Sequence, residues 1–229
     1  NIVALFVVFG TFLFIAQYLQ LVLGMGPLEA GLWTAPTGIV FALGSLMAPY
    51  LERNYRPHVV VAGGFLVSAV GFLCLTQLSA TDGPWLLFIG MMILCLGVAP
   101  TGAITTDIVM AEAPPERAGA ASAISETSFE FGGALGIAVL GSIVTAIYRG
   151  AMASQTLPGI PAESVEAAKD TLGGAVEVAA QLSGERGPQL LATAREAFVH
   201  AFEVTSALSA AGAVGAAILA AVLLRNVSQ

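Results

Sequence analysis

Six blocks of apolar sequence, each about as long as a bilayer crossing, restrict what this chain can fold into. A helix needs ~20 predominantly apolar residues to cross ~30 Å of hydrocarbon, because each residue rises about 1.5 Å. Blocks of this kind fall at residues 2–23, 28–51, 58–78, 85–110, 118–148 and 198–224. Turn-forming clusters separate the first five: Gly24-Met25-Gly26-Pro27, the polar run from Glu52 to Pro57, Thr81-Asp82-Gly83-Pro84 and Ala113-Pro114-Pro115. Lipid offers no hydrogen bonds to the backbone, so only helices and closed barrels cross it. Continuous apolar runs select the helix. The expected fold class is therefore an all-α membrane protein with six transmembrane helices.

Composition excludes the soluble alternatives. Hydrophobic residues make up 57% and charged residues 10%, with a mean hydropathy of +0.87, whereas soluble domains carry about 25% charge. The net charge of −7 disfavours polyanionic partners, so no nucleic acid is expected. There is no nucleophile–base pair, metal-ligand cluster or phosphate loop in the sequence, so neither enzymatic activity, metal nor cofactor is expected. Cys74 and Cys95 lie inside apolar runs and read as small buried hydrophobes. The chain opens on Asn1-Ile2-Val3 within an apolar block and is expected to be the back part of a longer protein. Arg far outnumbers Lys, and Ala is abundant, which points to a bacterial host.

Basic residues in short loops mark the cytoplasmic side. Arg53 and Arg56, then Arg117, then Arg225 occupy alternate connections, while the short loops at 24–27 and 79–84 carry no Lys or Arg. The first span is thus expected to run outward and the C-terminus to lie in the cytoplasm. Residues 1–148 then form five spans, 149–197 an extracellular segment, and 198–229 the last span with its tail. In the extracellular segment Glu163, Glu166, Lys169 and Asp170 recur at helical spacing, and Gly173-Gly174, Gly184 and Gly187-Pro188 interrupt. Short amphipathic helices packed as a hairpin or cap are expected. Pro188 suits the start of one long final helix.

An ionisable group within a span costs about 2.5–3.5 kcal/mol at the centre on insertion scales, so its presence asks for a function. Counted from Ala118, Glu126 and Glu130 lie about 12 and 18 Å along the fifth span, the second near mid-depth. At i and i+4 they share one helix face with Gly133 and Ile137. No Lys or Arg occurs in the interior of any of the six blocks. Desolvation and mutual repulsion favour protonation of such a pair. It can therefore exchange protons near neutral pH and, when ionised, attract a lipophilic cation. A structural interhelical hydrogen bond by protonated acids is the alternative.

Other polar positions are open to two readings. Asp107, near the inner end of the fourth span, is a candidate for an ion path or for a solvated helix end. Glu203, with His200 three residues before it, is a candidate vestibule acid or a snorkelling interfacial pair. Gln17, Tyr18 and Gln20 either line a cavity or anchor the first span through interfacial and interhelical hydrogen bonds. Phe6, Phe9, Phe12, Phe14 and Phe129 supply aromatic walls or face lipid, and Gly132-x-x-x-Gly136 permits close helix contact.

Three stretches carry a family resemblance. They are Gln17-Tyr18-Leu19-Gln20 through Gly24 with Pro27-Leu28-Glu29-Ala30-Gly31-Leu32; Ala111-Glu112-Ala113-Pro114-Pro115-Glu116-Arg117-Ala118-Gly119; and Glu126-Thr127-Ser128-Phe129-Glu130-Phe131-Gly132-Gly133-Ala134-Leu135-Gly136. With them the whole chain resembles the C-terminal six helices of the major facilitator superfamily, narrowly the fourteen-helix drug/proton antiporters of the QacA and SmvA type. The resemblance implies proton-coupled efflux of cationic amphipathic compounds, such as quaternary ammonium biocides and dyes, from a bacterial cytoplasmic membrane. It implies Glu126 and Glu130 as the proton-coupling and cation-binding acids, with Phe129, Gln17, Tyr18 and Gln20 in a substrate cavity. Some relatives carry a further acid where this chain has Ser125. Residues 51–56 are similar to the superfamily's inner gating loop, with Glu52 for the usual Asp and Tyr55 for the usual Gly; this implies a cytoplasmic gate of Glu52, Arg53 and Arg56. The implied partners are cationic lipophilic molecules, protons, membrane lipid and the N-terminal half of the same transporter, driven by the proton gradient without a cofactor. Export of an endogenous lipid, peptide or siderophore, and a non-transporting scaffold, are the competing functions.

Overall fold

The computed structural model describes residues 2–81, 83–155, 160 and 162–226. Every element among them is helical: α1 (Ile2–Gln17) running into a π-helical turn (Tyr18–Val22), α2 (Pro27–Leu46), α3 (Ala48–Asn54), α4 (Pro57–Leu75), α5 (Trp85–Ala111), a 3₁₀ turn (Pro115–Arg117), α6 (Ala118–Ala153), α7 (Ala162–Asp170), α8 (Leu172–Gln181), α9 (Arg186–Leu223) and a final 3₁₀ turn (Leu224–Asn226). Among the described residues five stretches are long and apolar enough to cross a membrane: Pro27–Asn54, Pro57–Leu75, Trp85–Ala111, Pro115–Ala153 and Arg186–Leu223. The apolar run Val8–Val22 is shorter. A single proline can change where an apolar run bends, and the second block shows it. Pro49 has no N–H to give the Ser45 carbonyl, so the block expected to be continuous breaks at Met47, whose amide bonds Leu43 and Gly44 carbonyls at 3.1 and 3.2 Å.

Packing follows the glycines. On α4, Gly64 and Gly71 face Gly97 and Gly90 of the antiparallel α5. A methyl group on Gly64 would stand 2.5 Å from the Gly97 carbonyl oxygen, and one on Gly71 would stand 2.8 Å from that of Gly90. Between these contacts Ser68, fully buried, donates to the Gly64 carbonyl at 2.9 Å and reaches the Leu94 carbonyl at 3.4 Å. Without a hydrophobic effect between helices in lipid, such close backbone packing supplies the attraction. α1 and α6 approach in the same way, Gly10 against Gly136 at 2.7 Å and Gly133 against Phe9 at 3.3 Å from a built Cβ, as the glycine density of the fifth block anticipates. α9 packs on α4, α6 and α1, and α2 on α5.

The two ends of the bundle differ. At the basic end, Ala48, Val61, Phe65, Ile104, Ala216 and Ala217 form a small core, and Arg53, Arg56, Arg117 and Arg225 are exposed. At the other, the cap end, Trp33, Trp85 and Phe88 meet edge to face, with centroids 4.8 Å apart for the tryptophans. Amphipathic rings of this kind sit at the membrane–water boundary. α7 and α8 form a helical hairpin there. Gly173-Gly174 does not interrupt it. The break falls two residues earlier, at Thr171, whose side chain caps α8 by accepting from the Gly174 amide at 3.0 Å. The Gly174 backbone packs against the Ala167 carbonyl, too close for a side chain. Gly184, with φ +71°, turns the chain from α8 into α9, and Pro188 lies in that helix's first turn.

Candidate functional site: paired acids beside an aromatic cleft

The exposed stripe of α6 carries the site. Along its buried ridge run Gly132, Gly136, Leu140, Val144 and Tyr148; the i+4 spacing keeps this ridge on neighbouring helices. Glu126 and Glu130 lie off the ridge, one turn apart and about 6 Å between Cβ atoms, and both are exposed. Neither has a hydrogen-bond or ion-pair partner among the described residues. Ser125, by contrast, is buried; an acid at that position would enter the helix interface instead of joining the pair. Phe129 is half-buried beside them.

One turn beyond Glu130, Gly133 brings α6 against the ring of Phe9. The far side of Phe9 walls a cleft of about 400 Å³ between α1, α2 and α5, with Phe12, Thr37, Phe41, Cys95 and Val98 among its lining. That volume lies within the ~300–1,000 Å³ range of small-molecule sites. Phe9 and Phe12 thus act as cleft walls. Thr37 and Phe41 were not singled out from sequence; their i, i+4 spacing on the second block was the available signal. Thr37 is buried and donates to the Thr34 carbonyl at 2.6 Å.

The remaining polar candidates spread out. Tyr18, expected among cavity residues, is instead fully buried: its hydroxyl donates to the Ser79 carbonyl at 2.8 Å and its ring packs on Phe202. Wide π turns bring such a side chain inward, and this placement follows the interhelical-bonding alternative. Gln20 is exposed, and Gln17 is half-buried toward the cap end. Asp107 is exposed near the basic end, where its charge reaches Glu52; Arg53 and Arg56 are exposed beside Glu52. His200 Nδ1 and Glu203 Oε2 stand 3.9 Å apart on α9, the geometry of the snorkelling pair. Cys74 and Cys95 are free thiols. Among the described residues no group of three or more His, Cys, Asp or Glu is placed to hold a metal ion.

Arg195 carries a role the sequence did not suggest. Its Nε donates to the Leu21 carbonyl at 2.9 Å, satisfying an oxygen at the end of the π turn, where Leu23 and Met25 amides reach back to Tyr18 and Leu19 carbonyls at 3.0 Å. This bond ties the first helix to the last. Arg195→Met should cost about 1.5–3 kcal/mol, the range for a bond from a charged group, and lower the Tm of the detergent-solubilised protein by several degrees; an unchanged Tm would show the tie to be idle.

Residues 1–153 match the family model described as Major Facilitator Superfamily. The multidrug efflux pump LfrA of Mycolicibacterium smegmatis is 34% identical over 227 residues, covering 99% of this chain and 44% of that protein. The methyl viologen resistance protein SmvA of Salmonella typhimurium is 33% identical over 91% of this chain and 41% of its own length. A tetracenomycin C resistance and export protein of Streptomyces glaucescens is 30% identical over 94% and 40%. The chain spans less than half the length of these relatives.

Proposed function

This chain belongs to the Major Facilitator Superfamily, and from that premise we propose that it is the C-terminal six-span bundle of a proton-coupled multidrug efflux pump. In this reading Ile2–Val22 is the first span, the α7–α8 hairpin is extracellular, and the C-terminus is cytoplasmic. The pump works in a bacterial cytoplasmic membrane by rocking against an N-terminal bundle around a midplane site.

The observation that carries it is the placement of Glu126 and Glu130. They are exposed and, among the described residues, unpartnered, on a helix that also touches an aromatic cleft through Phe9. Exposed carboxylates on an otherwise apolar surface would be costly in lipid. A second bundle closing over that face would turn it into a cavity. There the ionised pair would hold the charge of an amphipathic cation while Phe9, Phe12 and Phe41 take its flat apolar body. Protons arriving from outside would neutralise the acids and release the cation outward; release of those protons to the cytoplasm would restore the site. Proton and cation compete for the same carboxylates, so the coupling is reciprocal. The relatives support the reading: one is named as a multidrug efflux pump and another for resistance to methyl viologen, a flat dication. Asp107 with Glu52, Arg53 and Arg56 at the basic end would serve the cytoplasmic gate and ion path, and Glu203 the outer vestibule.

The test is ethidium uptake into energised inverted vesicles carrying the full-length protein. We expect accumulation that an uncoupler abolishes. Accumulation indifferent to the uncoupler would remove the proton coupling, and none at all would remove the cationic substrate.

A further inference from the structure

α1 and α6 pack backbone to backbone around Gly136, which meets Phe6 and Gly10. Toward the cap end they diverge, and a cavity of about 460 Å³ opens between them. Leu13, Phe14 and Leu21 of the first helical segment, Val144 of α6 and Phe198 of α9 make its wall apolar. The α7–α8 junction, residues 170–173, closes it as a roof. Of its five polar side chains, Tyr148 donates to the Ala168 carbonyl and Thr171 accepts from the Gly174 amide; Gln17, Thr145 and Asp170 remain. Gln17 is half-buried and has no hydrogen-bond partner among the described residues. Thr145 is likewise unbonded, although Thr127, Ser128 and Ser142 on the same helix each turn back to a carbonyl at 2.7 Å. Arg149 Nη2 donates to Asp170 Oδ1 at 2.8 Å, and that bond leaves the second carboxylate oxygen available.

We propose that this cavity is a second binding site, for an amphipathic organic cation on its way out beneath the hairpin. The inference rests on the efflux reading above. An apolar pocket rimmed by an amide, a hydroxyl and a carboxylate oxygen suits a molecule with an aromatic body and a nitrogen-bearing polar end. The Arg149 pairing weakens the pull of Asp170 on a cation, which favours a passing occupant over a trapped one. The cavity also lies on the right path. The exposed stripe that carries both acids continues through Ala134, Ile137, Gly141 and Thr145, and the last two line the cavity. From Glu130 to Thr145 the helix rises about 22 Å at 1.5 Å per residue. A molecule of ordinary drug size cannot touch both, so the two sites are occupied in sequence.

Ethidium monoazide, photoactivated on the full-length protein in lipid nanodiscs and mapped by peptide mass spectrometry, tests this. Label is expected both near Glu130 and within residues 141–148 or 170–173, and excess ethidium should displace it from each. Filling the cavity from α6 with Thr145→Leu, or independently from the hairpin with Gly173→Leu, should lower the cap-end label at least fivefold while label near Glu130 persists. Persisting label near Glu130 also shows that the variant has folded. Wild-type protein that exports ethidium but is labelled only near Glu130 overturns the second site and leaves the efflux reading standing. Cap-end label unmoved by both fillings overturns it too. Cap-end label that the fillings remove, on a protein that does not export ethidium, supports the site and overturns the efflux reading.

Discussion

Glu130→Gln should end uncoupler-sensitive ethidium transport, and Glu126→Gln should cripple it. A unit charge 4 Å from a cation is worth about 1 kcal/mol in water and about 4 kcal/mol near a protein surface. Loss of one carboxylate should therefore weaken cation binding by roughly five-fold to several hundred-fold. The stronger effect is on coupling. A glutamine cannot take up or release a proton in this range, so a proton gradient has nothing on that side chain to work through. Glu130 is closer than Glu126 to Gly133 and the Phe9 contact, which makes it the acid nearer the aromatic cleft and the more sensitive of the two. Ethidium uptake into inverted vesicles, with binding measured separately by fluorescence, distinguishes the two losses. Coupled transport at the wild-type rate in Glu130→Gln would remove α6 from the mechanism.

Gly97→Leu should unfold the bundle or leave it barely stable. A side chain at this position meets the Gly64 backbone carbonyl and, at 2.7 Å, the Ser68 amide nitrogen. Backbone cannot step aside as a rotamer can, so α4 and α5 must separate, with loss of the Ser68 hydrogen bonds and the packing around Phe72 and Met91. Overpacking alone costs about 1–3 kcal/mol. With the hydrogen bonds, ~3 kcal/mol or more is expected, about 6–12 °C in Tm for a chain of this size. The same helices contain internal controls. Gly63, beside Gly64, and Gly102, on α5, have no neighbour within 4 Å of a built Cβ. Gly63→Ala and Gly102→Ala should leave the Tm nearly unchanged, while Gly64→Ala should not. Equal effects at positions 63 and 64 would show that the close approach of α4 and α5 contributes little.

Which of these features the sequence displays depends on how far along the chain their causes lie. Apart from the start of α9, which precedes its apolar block by twelve residues, apolar block length locates the helices to within about five residues, because crossing a bilayer is a constraint on consecutive residues. The acids on α6 are visible for the same reason: a charge in an apolar run is a local anomaly. Tyr18 is a different case. Its burial depends on the Ser79 carbonyl, 61 residues away, and on the ring of Phe202, and no local pattern announces either. Arg195 lies in a polar stretch where a basic residue is ordinary, yet its acceptor belongs to a helix 174 residues earlier. The Gly64–Gly97 and Gly71–Gly90 pairs look like four unrelated glycines until α4 and α5 are set antiparallel. The Thr171 cap shows a competition between local signals: Gly173-Gly174 reads as a breaker, but a capping hydroxyl two residues earlier sets the boundary.

The lengths of α6 and α9 have a mechanical consequence. At 36 and 38 residues they are about 54 and 57 Å long, nearly twice the ~30 Å of hydrocarbon. Their surplus lies largely at the cap end, where the hairpin is fastened by Tyr148 to the Ala168 carbonyl at 2.8 Å and by Arg149 to Asp170. The hairpin therefore sits at the tips of two levers whose other ends lie across the membrane at the basic end. A tilt of α9 by only ~10° about its far end would sweep its tip sideways by about 10 Å for a rod of that length. That is the width of a helix, so a small rotation at the basic end becomes a displacement at the surface as large as the hairpin's own helices.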